Sequence, residues 1–414
     1  MITVTFINRY YRPDHSATAQ ILTDLAEHLA AGMQVRIVTS RQSYSDSKLQ
    51  LPPTETLSNV HIVRLWGSRF GRDRLAGRAC DYLSFYVSCF FYLLFALRRG
   101  EVVVAKTDPP LISIIAALAA KARGATLINW LQDLFPEVAQ AIGIRGIPPL
   151  VFRALTKWRD RALRMAFANV AIGERMATRL RVAECSPQKI HVIPNWVIQR
   201  DIRPLAPALN PLRNDWQLQS KFIIGYSGNL GRAHDYRTMF EAAVILEHKT
   251  EIAFVFIGDG AGMQELKLLV TARGLRNVYF KPYQPIDKLA FSLTLPDLHL
   301  ATLEPALEGL IVPSKLYGIL AAGRPTLFIG AVDGEIGELL RANNCGYAVA
   351  PGDSITLANH IQRLSLAPDE LELLGNAAER AHRTQFRAEV AIAHWQQLIE
   401  SAGRTNVLRG EASC

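Results

Sequence analysis

The chain has 414 residues, 49% of them apolar and 20% charged, with no low-complexity run, a globular composition too long for a single core, so two domains are expected. Its five cysteines (80, 89, 185, 345 and 414) form no C-x-x-C pair, which argues against a zinc site or a disulfide framework and fits a reducing compartment. The net charge is +9 and is concentrated: residues 64–99 hold seven arginines against Asp73 and Asp81, and residues 145–181 hold eight arginines and Lys157 against Asp160 and Glu174. Such stretches either attract phosphates, on nucleic acid, anionic lipid or a diphosphate-linked substrate, or are solvated surface.

Short apolar strands alternate with helical stretches along the chain. The first strand is ITVTFI (2–7), and its opening MITVTFINRYY lacks the pattern of a signal peptide. Arg12, Asp14 and His15 follow it as polar groups at a strand end, suited to a ligand or to an ordinary loop. Strands QVRIVT (34–39) and HIVRLW (61–66) come next. The aromatic-rich stretch DYLSFYVSCFFYLLFALRRG (81–100) admits three readings: a buried helix, an interfacial helix flanked by arginines, or a membrane span of marginal length.

Strands EVVVA (101–105), ATLINWL (125–131) and NVAIG (169–173) complete the first half. Directly after ATLINWL, Asp133 is placed either to accept a proton from a hydroxyl or to cap the helix begun at Pro136. The segment 191–215 carries four prolines and little periodicity, and marks the joint.

The second half has strands FIIGYSG (222–228), AFVFIG (253–258), NVYFKP (277–282), DLHLAT (297–302), PTLFIG (325–330) and GYAVA (346–350). The turn after FIIGYSG contains Gly228, Asn229, Gly231, Arg232 and His234, where glycines allow backbone N–H groups to approach a phosphate. Gly258 and Gly260 follow the next strand, with either a structural or a ligand role. The stretch EGLIVPSKLYGILAAGRP (308–325) reads as a loop through Leu310, Ile311 and Val312, a capping Ser314, a helix from Lys315 to Ala322 and a terminating Gly323. A loop feeding a helix start, flanked by Glu308 and Lys315, is either an anion site or an ordinary capped helix. Continuously apolar strands with intervening helices indicate α/β architecture: two doubly wound parallel-sheet domains, with ligands beyond the carboxyl ends of the strands and a cleft between the domains.

These segments resemble family 4 of the retaining, nucleotide-sugar-dependent glycosyltransferases. EGLIVPSKLYGILAAGRP is similar to the family's EGFGLPVLEAMACGTP, and IGDGAGMQELKLLVTARGLRNVYFKPYQP (257–285) to VGDGPERELLEALAAGLGLENVRFLGYVP. Gln132-Asp133-Leu134-Phe135-Pro136 resembles HDLFP, and VIPNW resembles VIPNG. YSGNLG, QDLFPE and VPSKL are similar to bacterial enzymes that assemble capsule, colanic acid or O-antigen repeats on a polyprenyl diphosphate lipid. The resemblance covers about residues 1–400.

It implies a GT-B fold with Rossmann-like domains at 1–200 (acceptor) and 201–385 (nucleotide sugar), a helix at 386–402 crossing back to the first domain, and a loose tail at 403–414. It further implies that Glu308 contacts the donor sugar, that Arg232, Lys315 and the position of His234 neutralise the diphosphate, and that backbone near Lys281 and Tyr283 pairs with the base. The family's HDLFP histidine is Gln132 here, its second signature glutamate falls on Gly318, and Ser16-Ala17-Thr18 replace a glycine pair. The expectation is a hexosyltransferase moving sugar to a lipid-linked saccharide, with no metal and no nucleic acid partner, cytoplasmic and peripheral at the inner membrane face. Two alternatives share the architecture: a nucleotide-sugar 2-epimerase and a noncatalytic membrane-binding homologue.

Overall fold

The computed structural model describes residues 1–414 except 15, 44–50, 71–74, 145–147, 184, 199–201 and 412–414, and omits the side chains of 75, 76 and 405–411. His15, Asp73 and Cys414, named above, and Arg72, Arg74 and Arg145, counted among the clustered arginines, lie outside the described residues. The chain forms two compact units, Met1–Pro194 with Glu389–Cys414, and Asn195–Ala388.

The first unit holds strands β1 (Thr3–Ile7), β2 (Gln34–Ser40), β3 (Thr54–Leu57), β4 (Val60–Leu65), β5 (Val102–Lys106), β6 (Thr126–Leu131), β7 (Ala168–Ala171) and β8 (Ile190–Val192). They form one sheet in the order β3-β4-β2-β1-β5-β6-β7-β8, parallel except for β3. Its helices are α1 (Ala17–Leu29), α2 (Leu75–Ala96), α3 (Ile112–Arg123), α4 (Glu137–Ala141), α5 (Pro149–Met165) and α6 (Glu174–Val182). The second unit contains α7 (Pro211–Asp215), β9 (Phe222–Ser227), α8 (Arg237–Ile245), β10 (Ile252–Ile257), α9 (Ala261–Arg273), β11 (Val278–Lys281), α10 (Leu289–Thr294), β12 (Leu298–Thr302), α11 (Lys315–Ala321), β13 (Thr326–Ile329), α12 (Glu335–Asn343), β14 (Gly346–Val349), α13 (Ser354–Ser365) and α14 (Pro368–Gln385). Its six strands are parallel, in the order β11-β10-β9-β12-β13-β14. The helix α15 (Ala388–Glu411) belongs to the first unit, where Trp395 packs against Trp130 of β6 with ring centroids 4.6 Å apart. It continues to Glu411, so a helix occupies most of the stretch expected as a loose tail.

All twelve strands expected from apolar runs are present. The two additional strands, β3 and β8, are edge strands of only four and three residues. An ion pair holds β3: Glu55 meets the buried Arg64 of β4, whose Nη2 also donates to the Arg12 carbonyl at 3.0 Å. Arg64 is therefore not part of an exposed basic patch. Nor is Arg159 of α5, which is buried between Glu137 (2.6 Å) and Asp160 (2.7 Å).

Helix α2 combines a buried face with an open one. By length and composition alone, Gly77–Ala96 is apolar enough to cross a membrane. Yet Phe85, Cys89 and Leu93 are buried in the core with Ile7, Val38 and Val103, each large apolar side chain contributing on the order of 1.5–3 kcal/mol. The same helix leaves Leu83, Val87, Phe91 and Phe95 exposed, at a spacing of four. The helix thus has two apolar faces, one packed in the core and one open.

Candidate functional site

The second unit concentrates its candidates at the carboxyl end of β9. Lys315, the first residue of α11, points its ammonium at this strand end. Its Nζ donates to the Tyr226 hydroxyl and, at 3.2 Å, to the Asn229 carbonyl, and lies 4.0 Å from the centre of the Tyr226 ring. The Tyr226 hydroxyl in turn donates to the Asn229 carbonyl at 2.9 Å. Burial lowers the Lys315 pKa to about 7, because a desolvated ammonium loses hydration that no carboxylate among the described residues replaces. A diphosphate at this point would restore its proton and its charge.

His234 sits beside this lysine but supplies no charge. Burial first, and the Lys315 charge second, lower its pKa to about 4. Its Nδ1 lies 2.9 Å from the Thr302 carbonyl, which only accepts, so Nδ1 carries the proton and Nε2 is an acceptor. The family's lysine position thus holds, in the free protein, a neutral imidazole. Arg232 is exposed, with no ion pair among the described residues, and is the second cation of the turn.

The glycines divide by role. A Cβ at Gly258 would lie 2.3 Å from the Gly228 carbonyl oxygen, and one at Gly260 would lie 2.5 Å from the Leu230 oxygen. Both have φ near +130°, a conformation side chains rarely adopt. They let the turns after β9 and β10 stack, which is a structural role rather than a ligand contact. Gly228 N–H bonds the Ile257 carbonyl and Gly258 N–H the Lys281 carbonyl, so neither faces a phosphate. The backbone N–H groups of Asn229 and Gly231 make no hydrogen bond among the described residues and remain the donors of this turn.

The loop before α11 departs from its expectation at Ser314. That residue has helical φ −62° and ψ −22°, and its hydroxyl makes no capping bond, because capping geometry needs an extended residue there. With seven residues, α11 is short, and Lys315 rather than the helix end supplies the charge. Leu310 is buried, while Ile311 and Val312 are partly exposed. Glu308 is engaged: its Oε1 accepts from the Glu335 N–H at 2.7 Å at the start of α12, and Gly334 leaves the space its other oxygen fills. Gly318 faces inward, with Leu293 3.1 Å from where a Cβ would sit, so a carboxylate there would enter the core. Beyond β11, the Lys281 ammonium lies 4.9 Å from the Trp216 ring centre, and Tyr283 is exposed.

In the first unit the corresponding strand ends carry Lys106, Asp108 and Asp133. Lys106, the last residue of β5, is almost fully buried; its Nζ donates to the Thr18 carbonyl at 2.8 Å and lies 3.8 Å from the Trp130 ring centre. Burial pushes its pKa well down against the pull of Asp108 and Asp133. Asp133 is pushed up to about 7, first by burial, then by the Asp108 charge, with Lys106 opposing. It does not cap α4, whose first turn has no side-chain cap. Gln132 is buried, and its N–H donates to the Thr107 hydroxyl at 3.1 Å. Arg12 pairs with Glu27 at 2.8 Å, and Asp14 accepts from the Ser43 hydroxyl at 2.7 Å, so both serve the loop after β1.

Tyr226, Lys106 and Asp108 were not singled out from sequence. Lys106 ends an otherwise apolar strand, which is a readable signal; Tyr226 resembles any strand aromatic until its hydroxyl partner is known. Among the described residues no three His, Cys, Asp or Glu side chains converge as a metal site.

Comparison with known proteins agrees with this architecture. Residues 16–196 match the model of the glycosyl transferase 4-like domain, and residues 211–381 that of the glycosyl transferases group 1. A probable glycosyltransferase of Pseudomonas aeruginosa, WbjE, is 27% identical over 267 residues, 64% of this chain and 66% of that protein. The putative colanic acid biosynthesis glycosyl transferase WcaI of Escherichia coli is 26% identical over 384 residues, 89% of this chain and 94% of that protein. Among solved structures, Anabaena HepE in complex with UDP and glucose superposes with a TM-score of 0.72 at 15% identity, over 97% of this chain and all of that one. With one family model on each unit and Rossmann-like parallel sheets in both, the chain belongs to the family 4 glycosyltransferases of GT-B fold.

Proposed function

We propose that this glycosyltransferase moves a hexose, with retention, from a nucleoside-diphosphate sugar to a polyprenyl-diphosphate-linked saccharide in surface polysaccharide synthesis. The observation that carries the donor assignment is Lys315, a half-buried ammonium with no carboxylate partner among the described residues, held by Tyr226 against the turn of Asn229 and Gly231. That arrangement suits a diphosphate: one anchored cation, one exposed cation at Arg232, and backbone N–H donors. UDP in HepE and the colanic acid assignment of WcaI support the nucleotide and polysaccharide parts of the reading.

In this proposal the donor lies on the second unit. Glu308 contacts the sugar while its other oxygen stays on α12, and the backbone at Tyr283 meets the base, since the Lys281 carbonyl is already bonded to Gly258. As the sugar–phosphate bond breaks, negative charge grows on the departing diphosphate, where Lys315 and Arg232 stabilise it without a metal. The acceptor hydroxyl attacks the same face and gives its proton to the leaving diphosphate or to Asp133. The protein works at the inner membrane face as a peripheral protein, on the strength of the exposed stripe of α2.

The test is a panel of nucleotide sugars incubated with membrane extract from the native host. One donor should leave label in the lipid fraction, with retained anomeric configuration. Release of a 2-epimer instead, or no turnover of any donor, would overturn the proposal.

A further inference from the structure

Strand β5 reads VVVAK, and its side chains alternate between the two faces of the sheet. Val103 and Ala105 enter the core shared with α2 and α3. Lys106 therefore takes the opposite face with Val102 and Val104, where Thr18 of α1 brings its carbonyl to 2.8 Å from Nζ. Lys106 pairs with Trp130 across β5 and β6, and its ammonium lies 3.8 Å from the centre of that ring. Trp130 is itself packed on Trp395 of α15.

Packing alone does not call for a charge at this place. A desolvated ammonium is costly, and an apolar side chain of similar length would fill the same space as well or better. The surroundings of Nζ nonetheless suit a cation. They are a carbonyl oxygen from α1, a ring face from β6, Asp108 in the loop after β5 and Asp133 in the loop after β6. These two carboxylates are the charges that bear on Lys106, and it forms an ion pair with neither among the described residues.

The two loops are tied side by side, since the Gln132 N–H bonds the hydroxyl of Thr107, the residue after Lys106, at 3.1 Å. Asp133 is partly buried and makes no hydrogen bond among the described residues. It thus has no N–H or O–H donor there to hold it ionised. Asp108 works against its ionisation and Lys106 works for it.

We propose that Lys106 is a positioning residue for transfer: its ammonium, fixed by Thr18 and Trp130, keeps Asp133 a carboxylate that can take the proton of the acceptor hydroxyl. The proposal rests on Asp133 as the base, one of the two proton acceptors named above. In that step the acceptor oxygen bonds the anomeric carbon. The bond from that carbon to the phosphate oxygen breaks, and its electron pair leaves with the diphosphate. The hydroxyl proton passes to Asp133, while Lys106 keeps its own proton throughout. Were the pair to hold one proton on Asp133 and leave Lys106 neutral, Asp133 could accept nothing.

The experiment measures transfer against pH for the full chain, with the donor that labels the lipid fraction of membrane extract and that extract as acceptor. Four variants are compared with the parent: Lys106→Met, Lys106→Gln, Asp133→Asn and Lys106→Gln/Asp133→Asn. Met and Gln both remove the charge, but Gln keeps a donor for the Thr18 carbonyl, so a fold that needs that hydrogen bond survives in one of them. Circular dichroism and melting temperature establish folding. Loss of the cation should move the acid limb of turnover to higher pH by about one unit or more, the direction opposite to that expected of Asp108→Asn. Turnover at pH 6 should fall about tenfold and recover at higher pH, with the donor KM within about twofold of the parent. The double variant should be no slower than Asp133→Asn, because Lys106 acts through Asp133. An acid limb that stays in place, an equal loss at every pH, or a further loss in the double variant would overturn the role of Lys106 and leave Asp133 as the base. Near-normal turnover in Asp133→Asn would instead overturn the base itself, and this inference with it.

Discussion

The ammonium of Lys315 lies 4.0 Å from the centre of the Tyr226 ring and donates to that tyrosine's hydroxyl. A lysine with four rotatable bonds is thereby fixed over the turn that follows β9, before any ligand arrives. Preorganisation of this kind is what makes an electrostatic contact effective in a transition state, because no reorientation is needed as charge develops.

Lys315→Ala should lower turnover by about a hundredfold or more, since losing one such contact costs roughly 2–4 kcal/mol at the transition state. Its melting temperature should hold or rise, because a desolvated ammonium is removed. Tyr226→Phe keeps the charge but releases its anchor, and should give a smaller loss. Steady-state kinetics on the two variants checks the order; near-normal turnover in Lys315→Ala removes the assignment.

Glu308 both caps α12 and, in the proposal, touches the sugar. Glu308→Gln separates the two, since the amide oxygen still accepts from the Glu335 N–H while the negative charge is lost. Transfer should fall strongly, donor affinity less, and stability little. A variant as active as the parent would confine Glu308 to the cap.

The two groups near pH 7 act with opposite sign. Asp133 has a folded pKa of about 7, above its ordinary 3.8, so the folded state holds this proton more tightly. Ionising it as pH rises from about 4 to 7 therefore costs stability. A base must be ionised, so turnover should climb as pH rises through 7 if Asp133 takes the proton. Lys315 loses its charge above about 7 in the free protein, so donor binding must draw a proton from solution. Donor affinity should weaken by up to about tenfold per pH unit above 7. Titration calorimetry in buffers of different ionisation enthalpy measures that uptake. Asp108→Asn removes a charge that raises Asp133, and should move the acid limb of the turnover profile to lower pH; an unmoved limb leaves the diphosphate as the proton acceptor.

Sequence made the fold largely legible because buried parallel strands are continuous apolar runs, and ATLINWL or AFVFIG has few other uses. It missed β3 because Thr54–Leu57 is held by the Glu55–Arg64 pair rather than by apolar burial. The site was legible as a set of positions, not as chemistry. Lys315 could be read from its place at a helix start, but not the burial that brings its pKa to about 7. His234 fell at the place of the family's lysine, and only its carbonyl partner and surroundings make it neutral in the free protein. Gly258 and Gly260 read as structural glycines or ligand contacts, and the stacked turns account for them structurally. Lys106 and Asp108 act on Asp133 through space, which no local pattern reports.

The exposed stripe of α2 makes the proposed membrane contact separable from the core. Phe91 and Phe95 are open, Phe95 at 80% exposure, while Phe85, Cys89 and Leu93 hold the opposite face in the first unit. Phe91→Asp/Phe95→Asp should therefore change the melting temperature little, since neither ring belongs to the buried core, although Phe91 packs edge-on to Phe90. Each ring inserted at an interface contributes through its apolar area, and each Asp adds repulsion from an anionic surface. Vesicle flotation should fall in the variant and should persist at high salt in the parent more than a purely ionic contact would, because salt screens charges beyond about 8 Å but not apolar burial. Donor hydrolysis in solution should be unaffected, whereas transfer to acceptor in vesicles should fall with binding. If the variant floats like the parent, α2 is a core helix with a solvated outer face, and the acceptor must reach the first unit by another surface.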